Sequence, residues 1–280
     1  MLFGLFLLLA SIIVPSIGSV QERARRTADS SHLRQIGQAT LIYAQSHDDH
    51  LPVATDIWDY ALALAEDGGA DEPRLWWSKS DPASDDLINP PVTILLPGSS
   101  RPRPIIPAFR TLKLSVAVPL GKLNTRMPAT TPIAWTRGLQ TDGTWSSDSP
   151  YETDGGFITF LAGNVAFYKT LGTTAATGQL TRYDGQGPTN NILEALPPGT
   201  RIAEYTPTPE EKTAWAQLFN AAQREKRYSI YGLILFFTLL WLPFVIICVY
   251  RLIKKRPGAF TVLLWPVFLI LLFIIVVPFC

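Results

Sequence analysis

Apolar and polar positions are distributed unevenly along the chain. Residues 1–20 contain no charged side chain, and Leu and Ile dominate them. Twenty helical residues rise about 30 Å, the thickness of a bilayer's hydrocarbon core, so this stretch predicts a transmembrane anchor helix. From Gln21 the apolar run gives way to a stripe. Leu33, Ile36, Gly37, Thr40, Tyr43 and Ala44 recur at helical spacing, while Arg34, Gln35, Gln38 and Gln45 fill the other face. The pattern predicts an amphipathic continuation of the same helix over 21–50. The polar run Ser46-His47-Asp48-Asp49-His50 stops it, and Pro52 disfavours helix at Leu51.

Residues 51–207 then predict one α+β domain. A short helix over 56–65 ends at Gly68-Gly69. Residues 92–96, 105–109, 112–118 and 132–136 are candidate strands, rich in β-branched and apolar residues between prolines. Residues 157–168 read as two apolar strands around Gly163-Asn164, a pair that tolerates positive φ and so suits a tight hairpin. Residues 172–207 are polar and turn-rich. Thr208-Pro209-Glu210-Glu211 opens a juxtamembrane helix over 208–227, with a Thr cap, Pro at the first position and Glu closing a capping box. Two further apolar stretches, 228–250 and 259–280, predict a second and a third transmembrane helix, forming a hairpin around a basic connector.

Composition narrows the classes. Hydrophobic residues make up 47% of the 280 and charged ones only 17%, low for a soluble protein. A net charge of +1 gives no support for nucleic-acid binding. Cys248 and Cys280 both lie in apolar segments, so neither a structural disulfide nor a cysteine zinc site is expected. Arg251, Lys254, Lys255 and Arg256 place the connector in the cytoplasm, which puts the large domain outside in a multi-pass protein of the cytoplasmic (inner) membrane. Arg23, Arg25, Arg26, Arg224, Lys226 and Arg227 flank that domain on its own side and weigh against this orientation, although the rule is weak for long translocated domains.

One run of residues carries a family resemblance: Val14-Pro15-Ser16, then Glu22-Arg23-Ala24-Arg25-Arg26, Leu33-Arg34-Gln35-Ile36-Gly37-Gln38-Ala39, Tyr43-Ala44, His47-Asp48 and Leu51-Pro52. It resembles the N-terminal helix of bacterial type II secretion pseudopilin-like proteins. The resemblance implies a pilin-like α+β fold, a long N-terminal helix packed on a small antiparallel sheet. It also implies export of the domain and, as partners, the lipid bilayer and other pseudopilin-like or secretion-system proteins. The two C-terminal spans are additions to the family pattern. The family's processing motif is a Gly, an aromatic, Thr-Leu and a Glu. Here Gly4-Leu5-Phe6-Leu7-Leu8-Leu9 is the nearest match, with Leu9 where the Glu belongs. The family's closing hairpin carries Asp-Gly-His where this chain has Ala162-Gly163-Asn164. The chain is therefore expected to stay in the membrane at full length and outside any pilus, associating laterally through the Leu33-Ile36-Thr40-Tyr43 stripe or the C-terminal hairpin.

Candidate chemistry is sparse. His47-Asp48-Asp49-His50 has ligand types suited to a transition metal, but adjacent side chains diverge, and a solvated turn is the simpler reading. Asp142, Asp148, Glu152 and Asp154 offer oxygens of the kind Ca²⁺ takes, and some type II secretion pseudopilins hold calcium in a loop. The spacing is not that of an EF-hand, and a polar loop with glycine turns is again simpler. The histidines are His32, His47 and His50, with no Gly-x-Ser-x-Gly and no phosphate-cradling glycine loop. The expectation is a non-enzymatic structural or interaction protein with no cofactor and no small-molecule substrate. The competing reading is an extracytoplasmic sensing or ligand-binding module tethered by three transmembrane helices.

Overall fold

The apolar run of 1–20 and the stripe that follows it form one helix, α1, Leu2–Gln45. The computed structural model of the chain describes residues 2–84, 91–172, 178–211, 213, 214, 217 and 250, with the backbone alone for 2–19 and 82. Two compact units divide the chain, 17–215 and a second made of 1–16 with 216–280; the domain described below is the first. Among the residues searched, no helix is long and apolar enough to cross a membrane. The expected spans at 228–250 and 259–280 lie outside the described residues, Tyr250 excepted.

The stripe on α1 packs as its spacing requires. Leu33, Ile36, Thr40 and Ala44 are buried, and Arg34, Gln35, Gln38 and Gln45 are exposed. Lateral association through Leu33, Ile36 and Thr40 is thereby corrected: the protein's own core already covers them. After α1 the chain turns through Asp48 and Asp49, both at positive φ, and reaches α2, Ile57–Asp67. Asp56 caps α2 by accepting from the Asp59 amide, and Ile57, Tyr60, Ala61 and Leu64 form its buried face.

The sheet has five antiparallel strands in the order β4-β3-β2-β1-β7: β1 Val116–Leu120, β2 Pro132–Thr136, β3 Gly156–Phe160, β4 Val165–Tyr168 and β7 Arg201–Glu204. β5 Leu180–Thr181 and β6 Pro188–Thr189 form a separate pair. Pairing register sorts the side chains by face. Val116, Val118, Ala134 and Phe157 join Leu33, Ile36 and Ala39 of α1 and Ile57, Tyr60 and Leu64 of α2 in one core. Ala117, Trp135, Ile158 and Phe160 point the other way, into a second core with Leu123, Trp145, Leu171, Ile192 and Leu196. Both faces are thus covered, and β1, β2 and β3 are buried at every residue. A strand covered on both sides reads as a continuous apolar run instead of an alternation.

Gly37 sets how near α1 lies to the sheet. A Cβ there would stand 2.7 Å from Thr159 Cγ2 on β3, closer than any side chain tolerates. Only a hydrogen at this position lets the helix backbone reach the strand.

Several expectations change. The 92–96 and 105–109 segments make a single bridge, Leu95 to Ile105. Beyond it Pro107 opens a one-turn helix, α3 Pro107–Arg110, because its fixed φ and missing N–H suit a first helical position. The 112–118 strand pairs only from Val116, although Leu112 and Leu114 are buried before it. The hairpin loop is four residues, 161–164. In it Gly163 N–H donates to Phe160 O at 2.8 Å and Phe160 N–H to Asn164 O at 3.0 Å, and Gly163 alone takes positive φ, +83°. The polar 172–207 segment supplies β7, an edge strand of the main sheet.

Candidate functional site

Where α1 first meets the domain, a polar cluster interrupts the apolar stripe. Asp29 lies a turn before Leu33. Its Oδ2 accepts from Ser78 Oγ at 2.5 Å and from the Tyr151 hydroxyl. Ser78 is fixed in turn, its amide donating to Ser115 Oγ at 2.9 Å just before β1. The Tyr151 ring stands edge-on to Phe157 and Phe167 at 5.9 and 6.0 Å. Arg26, one turn earlier on α1, lays its guanidinium over Tyr151 at 5.3 Å and over Phe167 at 5.0 Å, with Nε bonded to Glu22 at 2.8 Å. Cation–π contact of this kind adds to what the ion pair supplies.

Beside Asp29, His32 keeps its Nδ1 buried with no protein partner. A cavity of about 20 Å³ lined by Asp29, His32, Trp77, Ser78 and Tyr151 adjoins it. That volume holds one water molecule and no organic ligand. Burial pushes the Asp29 carboxyl above its usual range, and the Ser78 and Tyr151 hydrogen bonds and His32 pull it back in part. Burial lowers the His32 imidazole, and the Asp29 charge resists that. Burial raises the Tyr151 hydroxyl, and the adjacent carboxylate raises it further. Ser78 donates its hydroxyl to the Asp29 carboxylate, which holds the side chain in place. The cluster ties α1 to the 77–80 and 150–151 segments.

A second buried cluster lies under the 78–84 loop. Arg137 and Asp81 are almost wholly inaccessible, at 1% exposure each. Arg137 Nη2 lies 2.8 and 2.9 Å from the two carboxylate oxygens of Asp81. The Ala83 amide also donates to Asp81. Burial pushes the Asp81 carboxyl up, and the Arg137 guanidinium draws it back down. The outer side of Arg137 faces the Tyr205 ring at 5.7 Å. Tyr205 donates to Glu211, which also pairs with Lys113 at 3.0 Å and closes the expected capping box with Thr208. Glu211 is held down to about 2, first by the Tyr205 hydrogen bond and then by the Thr208 amide. The start of the 208–227 segment is therefore fastened to the domain.

Several of the candidate ligands have other partners. His47 stacks on Tyr43 at 3.7 Å between ring centres, and its Nε2 lies 3.6 Å from Asp67. Asp49 pairs with Arg126 at 3.3 Å, while His50 bridges to Asn124. Asp142 accepts from the Thr144 amide and hydroxyl, Asp148 from Ser146, and Asp154 lies 3.9 Å from Arg26. Glu152 sits in a short 3-10 turn at positive φ. Among the described residues no three His, Cys, Asp or Glu side chains stand where they could share one metal ion.

No family model, curated protein or solved structure matches the chain.

Asp29, Ser78, Tyr151, Asp81 and Arg137 are not among the residues that the sequence singles out. One signal was present: an Asp on the buried side of an otherwise apolar helical stripe needs a partner. The partners themselves, 49 and 122 residues away, carry no local mark.

Proposed function

We propose that the protein is a non-enzymatic, membrane-anchored, pseudopilin-like structural or interaction protein, related to a type II secretion or pilus-like system. It sits in the cytoplasmic membrane as a multi-pass protein with the domain of residues 51–207 on the outer side. Its partners are the bilayer and other pseudopilin-like or secretion-system proteins. The observation that carries this reading is α1, a helix continuous from the uncharged first twenty residues into the core beside a five-stranded antiparallel sheet. A small-molecule sensing module is the competing reading. The cavity at Asp29, sized for a single water, offers such a ligand no seat.

The test has two arms. A membrane-impermeant thiol reagent applied to intact cells is expected to label a cysteine placed at Ser147 and to miss one placed at Gly258, with Cys248 and Cys280 replaced by Ser. Labelling of Gly258→Cys alone would reverse the orientation. Mass spectrometry is expected to find the full-length chain in the membrane fraction and not in sheared surface filaments. A trimmed chain in the filaments, cut free of its C-terminal spans, would make it an ordinary filament subunit instead.

A further inference from the structure

We propose that Arg23 and Arg25 bind the phosphate groups of anionic phospholipids where α1 leaves the bilayer. This inference rests on the membrane-anchored reading and names the lipid class that reading leaves open.

Arg23 and Arg25 are among the few arginines of the domain without an ion pair among the described residues. Most arginines of the domain are committed to carboxylates: Arg26 to Glu22, Arg101 to Asp67, Arg110 to Asp59, Arg182 to Glu194 and the buried Arg137 to Asp81. Arg23 and Arg25 are exposed, and among the described residues neither side chain has an ion pair or a hydrogen bond. The acids next to them are occupied. Glu22 is held by Arg26, and Asp29 accepts from Ser78 and Tyr151. The first turns of α1 after Val20 therefore present two positive charges that the protein leaves uncompensated.

Position selects the partner. Arg23 and Arg25 lie three and five residues past Val20 on an unbroken helix, about 4.5 and 7.5 Å along its axis. A headgroup layer is about 5–7.5 Å deep on each side of the hydrocarbon. Guanidinium groups bind phosphate oxygens through paired N–H donors. A zwitterionic headgroup carries an ammonium group of its own and competes for its phosphate; an anionic one does not. Arg34 is also exposed and without a partner among the described residues, but it stands about 21 Å past Val20, beyond that layer. Arg201, exposed on the edge strand, is a second cation of the same kind away from α1.

The experiment uses the full chain reconstituted in phosphatidylcholine vesicles containing phosphatidylglycerol. Spin-labelled phosphatidylglycerol and phosphatidylcholine are compared for their association with the protein boundary. The expected result is a preference for the anionic lipid that falls about fivefold or more in Arg23→Gln/Arg25→Gln, on the scale of about fivefold per basic residue at a charged surface. Arg34→Gln/Arg201→Gln is expected to retain the preference. If alkaline carbonate strips the wild-type chain from the vesicles, the membrane-anchored reading fails and this inference with it. If the chain is retained but the preference is unchanged in Arg23→Gln/Arg25→Gln, or falls equally in the control pair, the lipid-binding assignment alone is overturned.

Discussion

Asp29 and Asp81 are both carboxylates drawn out of water and pushed up by burial, and the domain gives them different partners. Asp81 meets a guanidinium that is itself buried, and a backbone amide supports it. Asp29 meets two hydroxyls, from Ser78 and Tyr151, which share a charge without neutralising it. The first arrangement anchors a loop and needs both charges present. In the second, burial favours the neutral acid and the two hydroxyl hydrogen bonds favour the ionised form in part, so its strength depends on protonation. A buried carboxylate is therefore no single kind of element; what stands opposite it decides how the cost of ionisation is offset.

The sharpest way to break the comparison is at Asp81. Arg137→Met leaves a buried carboxylate without its cation, and the expected loss is about 3–5 kcal/mol of stability. The double change Arg137→Met/Asp81→Leu should recover most of it. Thermal or denaturant unfolding of the full chain in detergent reads both, and a double variant no better than the single one would show that the pair does more than compensate itself.

The helix seat comes next. Gly37→Val places methyl groups where the Thr159 side chain already stands, so α1 must back away from β3. Overpacking of this kind costs about 1–3 kcal/mol. It should also draw Asp29 from its hydroxyl partners, so a second change, Tyr151→Phe, should cost less in the Gly37→Val background than in the wild type.

Asp29→Asn should have a smaller effect and the opposite sign. The folded carboxyl titrates above its ordinary value of 3.8. Its contribution to stability is complete below that value and is lost as pH rises through the raised one. Asn keeps an oxygen for Ser78 or Tyr151 and carries no charge. At neutral pH the variant is expected to melt above the wild type, with the gap closing as the pH nears 3.8. A lower melting temperature at neutral pH would mean that the ionised acid is the favoured form.

Glu211 gives the smallest effect and the reverse pH trend. Its folded value of about 2 lies below the ordinary 4.5. The stabilisation it gives is present above 4.5 and disappears as pH falls towards 2. Because Glu211 is partly exposed and solvent screens its pairs, Glu211→Gln should cost below about 1 kcal/mol at neutral pH. The acid limb of the stability profile is expected to flatten, and an unchanged limb would place the titrating group elsewhere.

Much of the fold was legible because its periods are local. Leu33, Ile36, Thr40 and Ala44 announce one buried helix face, and Pro132 to Thr136 and the two arms around Gly163 become strands at almost the expected limits. β7 was not legible. Arg201-Ile202-Ala203-Glu204 has one buried residue, and its strand character comes from pairing with β1 rather than from its own composition. The 105–109 segment misled because its apolar content fits a strand, while Pro107 starts a helical turn. The Asp29 and Asp81 clusters were hidden because each joins residues far apart in the chain, and a lone Asp or Arg in sequence does not say what faces it.

The stretch of α1 from Ser19 to Ile36 contains neither glycine nor proline. It is a stiff rod whose lower end, near Val20, is bare and whose upper end is clasped by Arg26 on two aromatic rings, by Asp29 on two hydroxyls and by Leu33 in the core. A sideways push at Val20 cannot be absorbed by a hinge within those residues. It acts on an arm of about 13 Å from Val20 to Asp29, so the clasp carries the bending moment, and Tyr151 is the side chain on which the load from both Arg26 and Asp29 converges.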